Sequence, residues 1–217
     1  MIKKHFVFDV DDTLIDSYGL NQQIFIEAFS VHLDITDTKT ERYLRDLHFR
    51  NRGRSMCSQF TEAIHYFSLR IDPQELIRRN EELQVGHFKK LNIFEAVDEL
   101  IKSLTSQGRQ VSVCTNRSSR SLLKILENRG IKKYLTKIIS CSDAGHEKPD
   151  PYCLLELIKE SGQPKQEFIY FGDSATDYQF AINADVDSVI IDYYLNKKFY
   201  KLLVESFIGG QSDEVNL

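Results

Sequence analysis

What this sequence does not contain narrows its function before any motif is read. No apolar run approaches the ~18 residues that a membrane-spanning helix needs, so no membrane partner is expected. Met1-Ile-Lys-Lys leads directly into an apolar segment, which leaves no room for a signal peptide. Cysteine occurs four times (Cys57, Cys114, Cys141, Cys153) and never as a C-x-x-C pair. That spacing suits neither a zinc site nor a disulfide framework, and points to reduced, mostly buried thiols of a cytoplasmic protein. Basic residues are not in excess: the formal net charge of −4 argues against nucleic acid as a general partner. Internal repeats and low-complexity tracts are missing as well.

What is present is enough for a sizeable core. The chain has 217 residues, 41% of them hydrophobic and 28% charged, which fits one large domain or a core with a smaller insertion. The stretch His5-Phe-Val-Phe-Asp9-Val-Asp11-Asp12-Thr13-Leu14 organises the rest. Its apolar run reads as a short buried strand of a parallel sheet. Asp9 and Asp11 are two apart, so an extended backbone points both to one side. At about 4 Å and an effective dielectric near 20, two such carboxylates repel by roughly 4 kcal/mol. A divalent cation between them relieves that repulsion, and a metal site is the reading adopted. The plainer alternative is a turn or helix cap, which is the role expected for Asp12.

Further along, Leu20, Ile24, Phe25, Ala28 and Phe29 recur at helical spacing. From about residue 37 to residue 90 the pattern is helical with no convincing strand. Met56, Phe60, Ile64 and Phe67 form one apolar stripe. Asp72-Pro73-Gln74-Glu75 has the form of a helix start. After Asn92, strands and helices alternate. Strands are expected at 110–114, 137–141, 168–171 and 188–191, with helices near 94–104, 118–129, 150–162 and 173–184. Repeated strand–helix units imply an α/β fold, a parallel sheet with helices on both faces. The all-helical block interrupts that pattern as an insertion. The expected division is 1–16 with 91–207 as core, 17–90 as helical insertion and 208–217 as a frayed tail.

In such sheets ligands bind beyond the carboxyl ends of the strands. Asp9/Asp11, Thr115-Asn116, Lys148 and Asp173/Asp177 all fall there. They supply hard oxygen ligands, a hydroxyl and a cation, the groups needed to hold Mg²⁺ and a phosphoryl group. Four segments in this order resemble the motifs of the haloacid dehalogenase superfamily of phosphohydrolases. They read Asp9-Val-Asp-Asp-Thr13, Val113-Cys-Thr-Asn116, Lys148-Pro149 and Gly172-Asp-Ser-Ala-Thr-Asp177, and the resemblance spans roughly residues 5 to 192. The insertion looks like the helical cap of the phosphoglycolate-phosphatase and β-phosphoglucomutase-like branch, on a Rossmann-like core.

The resemblance implies a role for each position. Asp9 is implied to be the nucleophile that forms an aspartyl-phosphate, and Asp11 the acid–base group. Thr115 is implied to hydrogen-bond the transferring phosphoryl group, with Asn116 beside it at the substrate. Lys148 offsets the charge on nucleophile and phosphate. Asp9, the backbone carbonyl of Asp11, and Asp173 are implied to ligate Mg²⁺. Asp177 joins that acidic set, in contact with the metal or orienting Lys148 or a metal-bound water. The expected substrate is a small-molecule phosphate ester.

Asp11 speaks against a dehalogenase proper, because halide leaves without protonation. A phosphomutase retains the same acid and stays open. From a different class come a non-enzymatic phospho-aspartate switch and a binding protein. The helical insertion and the G-D-x-x-x-D stretch have no place in a receiver domain. In the insertion, Arg45, Arg50, Arg52 and Arg54 cluster around Gly53. They form either a solvated face or a reach of Arg52 or Arg54 over the mouth of the site, Arg54 being preferred as a substrate-binding residue. One departure is visible: where relatives often place glycine after the last motif helix, this chain has Ala184-Asp185. Asp tolerates the left-handed conformation, so a shifted exit is expected without loss of chemistry.

Overall fold

The first apolar stretch becomes the middle of the sheet. In the computed structural model, which describes residues 2–191, β1 (His5–Phe8) has parallel neighbours on both sides. These are β4 (Gln110–Thr115) and β6 (Phe168–Gly172). β5 (Lys137–Ser140) lies outside β4 and β7 (Asp187–Ile190) outside β6, giving the order β5-β4-β1-β6-β7. Side chains alternate between the faces. Phe6, Phe8, Ile169 and Phe171 pack with Val97, Leu100, Ile101 and Leu104 of α5 (Glu95–Ser106) and Leu122, Ile125 and Leu126 of α6 (Ser119–Asn128). Val7, Phe168 and Tyr170 face the opposite layer, against Cys153, Leu154 and Leu157 of α7 (Tyr152–Ser161) and Phe180 and Ala181 of α8 (Ala175–Asn183). Continuous hydrophobic strands are the consequence of this double coverage. Cys114, Cys141 and Cys153 are free and buried in that second layer.

The helical block is α1 (Tyr18–Ala28), α2 (Thr38–Arg50), α3 (Met56–Tyr66) and α4 (Pro73–His87). It has its own apolar cluster around Phe25, Phe29, Leu44, Leu47, Phe60 and Leu76, with Phe25 stacked on Phe60 at 5.0 Å between ring centroids. Met56, Ile64 and Phe67 pack on that cluster, as their spacing predicts. α4 begins as expected, the Asp72 carboxylate accepting from the Gln74 amide at 2.9 Å with Pro73 in the first turn. The chain enters and leaves the block through a two-residue antiparallel pair, β2 (Ile15–Asp16) against β3 (Asn92–Ile93). That ribbon was not expected.

Other differences lie at element ends. The strands near 137 and 188 are each one residue displaced or shorter than expected. α8 starts after a reciprocal cap in which the Ser174 hydroxyl and the Asp177 carboxylate each bind the other residue's backbone. It leaves through Asp185 at φ +53°, the left-handed exit anticipated without glycine. Residues 192–207 of the expected core and the expected tail at 208–217 lie outside the described residues. No helix among the described residues is long and apolar enough to cross a membrane.

Candidate active site

The register sets the site. Phe8 pairs with Val113 on one side and Phe171 on the other, so Asp9 is the first residue beyond the sheet. Its amide is tied to the Phe171 carbonyl at 2.8 Å. Thr115 ends β4 and Gly172 ends β6, which brings three sequence-distant segments to one edge. Lys148, in the loop after β5, reaches beneath them. Its buried ammonium donates to Asp9 Oδ1 at 2.6 Å, to Asp177 Oδ1 at 2.6 Å and to the Tyr170 hydroxyl at 3.1 Å. An ammonium has three protons, and all three are placed.

Asp177 is a heavily bonded carboxylate. Oδ1 also accepts from the Tyr170 hydroxyl at 2.8 Å. Oδ2 accepts from the Ser174 hydroxyl at 2.5 Å and from the amides of Ser174 and Asp173 at 3.1 and 3.3 Å. Gly172 permits this fold-back, since a Cβ there would lie 2.4 Å from the Asp177 Cβ. Asp173 points the other way, to the Arg52 guanidinium at 2.6 Å, and Arg52 lies over the Tyr18 ring at 5.4 Å. Carboxylate oxygens of Asp9, Asp173 and Asp177 fall within 4.8 Å of one another.

Burial raises the Asp9 carboxyl to about 8; Lys148 opposes that shift, and Asp177, Asp173 and Asp11 add to it. Asp173 is raised to about 7, by burial first and then by Asp177 and Asp12, against the pull of Arg52. For Asp177 burial acts upward too, but Lys148 and the hydrogen bonds prevail and hold it below the usual carboxylate range. Burial acts to lower the Lys148 ammonium, yet Asp177 and Asp9 outweigh it and the net shift is upward. Lys148 therefore stays charged. A hard dication beside Asp9 and Asp173 would offset what burial and like charge impose, and carboxylate oxygens are what Mg²⁺ takes. Asp177, with both oxygens engaged by protein donors, has the surroundings of a group that orients Lys148.

The remaining expected residues divide. Asp11 is half-buried at the rim, accepting from Asn21 of α1 at 2.9 Å. Asp12, in the left-handed region at φ +59°, accepts from the amides of Ser17 and Tyr18 at 3.1 and 2.7 Å. It serves the start of α1, the capping role expected of it. Thr115 is buried and its hydroxyl accepts from the Arg117 amide at 3.2 Å. Asn116 is used as a splint: its Oδ1 accepts from the Lys148 amide at 2.8 Å, and its Nδ2 donates to the carbonyls of Lys148 and Gly53, each at 3.2 Å. Arg54 lines the cavity, but its guanidinium is spent on Asn51 Oδ1 and Ser58 Oγ, both at 2.6 Å. Of the two arginines flanking Gly53, Arg52 is the one that reaches the acidic cluster.

The cavity over Asp9 has a volume of about 170 Å³, with Thr115, Lys148 and Asp173 on the core side and α1, α3 and α4 facing them. The sequence profile of the haloacid dehalogenase-like hydrolases matches residues 6–191. The chain belongs to that family. Among its relatives, the pyrophosphatase PpaX of Halalkalibacterium halodurans is 25% identical over 198 residues, covering 89% of this chain and 86% of the relative. A phosphoglycolate phosphatase of Pseudomonas savastanoi pv. phaseolicola is 24% identical over 203 residues, covering 90% of this chain and 71% of the relative. A structure described as a haloacid dehalogenase-like hydrolase from Bacteroides fragilis superposes with a TM-score of 0.77 at 21% identity, covering 91% of this chain and 92% of that one. CbbY from Rhodobacter sphaeroides, in complex with phosphate, gives 0.73 at 17%, covering 88% and 87%.

Within this haloacid dehalogenase-like site, sequence reasoning passed over Tyr170, Ser174 and Arg117. Tyr170 sits in a buried strand and reads as an ordinary core aromatic; only its hydroxyl contacts reveal a polar task. The Ser174-x-x-Asp177 spacing is a capping-box signature and was available to find Ser174. Arg117, directly after Thr115-Asn116, carries no pattern of its own.

Proposed function

We propose that this protein is a Mg²⁺-dependent phosphatase that hydrolyses a small phosphorylated metabolite through an aspartyl-phosphate on Asp9. The observation that carries this reading is the Lys148 ammonium held between Asp9 and Asp177 at the end of β1. An oxygen of the Asp9 carboxylate attacks phosphorus as the bond to the leaving oxygen breaks. Asp11 passes a proton to that leaving oxygen. Lys148 and the Thr115 hydroxyl face the transferring group, and the Asp177–Tyr170 pair keeps Lys148 charged and directed. Asp11 then takes a proton from water as that water attacks the acyl phosphate, which releases phosphate and restores Asp9. Mg²⁺ would be held by Asp9, the Asp11 carbonyl and Asp173, and would supply positive charge to the phosphoryl oxygens.

The relatives named for pyrophosphate and phosphoglycolate support small substrates, and the free, mostly buried cysteines support a cytoplasmic setting. In this reading 1–16 with 91–207 is the catalytic core and 17–90 is a cap closing over it through the β2–β3 ribbon. A phosphate-release screen over phosphorylated acids, sugars, nucleotides and pyrophosphate, with Mg²⁺ or with excess chelator, tests it. Phosphate release that survives chelation, or a phosphoryl group found anywhere but on Asp9, would sink the mechanism.

A further inference from the structure

The buried guanidinium of Arg117 is underused by the protein. The residue is 5% exposed and its side chain 1%. Nε and Nη1 have no hydrogen-bond partner among the described residues. Nη2 reaches Asn21 Oδ1 only at 3.5 Å, and Nη1 stands 3.6 Å from Asp11 Oδ1, beyond hydrogen-bond length. Asp11 already accepts the shorter bond from Asn21. Five donors on a desolvated cation with one long hydrogen bond is an arrangement that costs stability unless something completes it. Beside it the Ser118 hydroxyl is also buried without a partner. Both residues line the cavity that holds Asp9, Thr115 and Lys148.

Lys148 is committed to Asp9 and Asp177, so it does not compete with Arg117 for a second charge. Asn21 and Gln84, which line the same cavity, are neutral, and of its acids only Asp11 comes within 4.0 Å of the Arg117 guanidinium among the described residues. A planar fork of this kind fits a carboxylate or phosphate through two parallel N–H bonds. We propose that Arg117, with Ser118, forms the subsite for a second anionic group of the substrate, so that the natural substrate is a short phosphate ester or anhydride carrying another anion near the scissile phosphoryl group. This rests on the phosphatase reading above and adds its substrate class.

The test compares 2-phosphoglycolate with its neutral analogue 2-hydroxyethyl phosphate, with pyrophosphate as a third arm. In the Asp9→Asn protein, which cannot form the covalent intermediate, calorimetry in Mg²⁺ should find an anionic compound bound more tightly than 2-hydroxyethyl phosphate. Adding Arg117→Ala should cost the anionic ligand about 10- to 100-fold in affinity and the neutral one much less. The protein with Asp9 intact should show the same asymmetry in KM, and Arg117→Lys should recover only part of it. Whichever anion loses more, carboxylate or phosphate, identifies the group read. Equal losses on charged and neutral ligands, as expected if Arg117 only steadied Asp11, overturn the subsite. Preserved binding asymmetry without any turnover would overturn the phosphatase reading alone.

Discussion

Asp9, Lys148 and Asp177 are separated by well over a hundred residues in sequence at the extremes, yet they form one buried charge set, and its balance depends on a single ammonium. Lys148→Met leaves two carboxylates buried without their common partner. Breaking a buried pair from one side costs about 3–5 kcal/mol, so the urea midpoint should fall clearly while phosphate release is lost; an unchanged midpoint would mean that the two acids find another partner. The rim acid calls for a different experiment. Asp11→Asn should slow hydrolysis of an ester with a poor leaving group by roughly 10²–10⁴-fold. A nitrophenyl ester, whose leaving group needs no proton, should still phosphorylate Asp9 and give a nitrophenol burst followed by a slow steady rate. Behaviour identical to Asp9→Asn with both esters would remove Asp11 from the acid–base role. Positions such as these were legible in the sequence because acids, threonine and lysine after apolar strands have few structural uses together. Arg52 was legible only as one of two candidates, with Arg54 preferred, and Arg117 was not legible at all: which side of Gly53 faces Asp173, and which guanidinium stays unsatisfied, are decided by packing across the cavity.

At the level of elements, the turn between α2 and α3 lies against the carboxyl end of the sheet, with Arg52 on Asp173 and the Gly53 carbonyl on Asn116. Gly53 has φ +77°, and a Cβ there would lie 2.4 Å from Ser174 Oγ, the hydroxyl that binds Asp177. Gly53→Ala should therefore push on Ser174 and loosen both Asp177 and the Asn116 splint. The expected result is a drop of about tenfold or more in kcat/KM on every substrate, consistent with a left-handed alanine costing roughly 1–2 kcal/mol plus the clash. Gly86, inside α4, is the control: nothing lies within 4 Å of an added Cβ, so Gly86→Ala should stabilise by about 0.5–1 kcal/mol without touching activity. Equal effects of the two substitutions in urea and kinetics would contradict both assignments. The contrast also marks how far elements could be read. Strands covered on both faces and capped helices declare themselves through apolar runs and Asp-Pro or Ser-x-x-Asp starts. A ribbon of two residues per strand, such as β2–β3, has too little periodicity to register and is created by the pairing of segments 76 to 78 residues apart, Ile15 with Ile93 and Asp16 with Asn92.

For the molecule as a whole, the charge set makes stability a function of pH and cation together. Asp9 and Asp173 hold their protons up to about 8 and about 7 in the fold, against an ordinary value of 3.8. Between the ordinary value and these raised ones the folded state binds more protons than the unfolded chain, so rising pH takes stability away. Asp177, lowered, and Lys148, raised, contribute a part that stays constant through that interval, since their unfolded and folded forms are equally protonated there. Buried His5 and His48, both pushed down to about 4, act in the opposite sense, but only up to their ordinary value of 6.5. Asp12, raised to about 6, adds to the loss below that point; above it Asp9 and Asp173 set the slope among the described residues, and the metal-free protein should lose thermal stability from about pH 6.5 to pH 8. A dication held by Asp9 and Asp173 would favour their ionised forms and remove the penalty. Unfolding temperatures measured in chelator and in millimolar Mg²⁺ should accordingly differ little near pH 6 and progressively more toward pH 8, with protons released on binding that can be counted in weakly buffered solution. A Mg²⁺ shift that is constant with pH, or that shrinks as pH rises, would mean that the cation does not sit on these two acids.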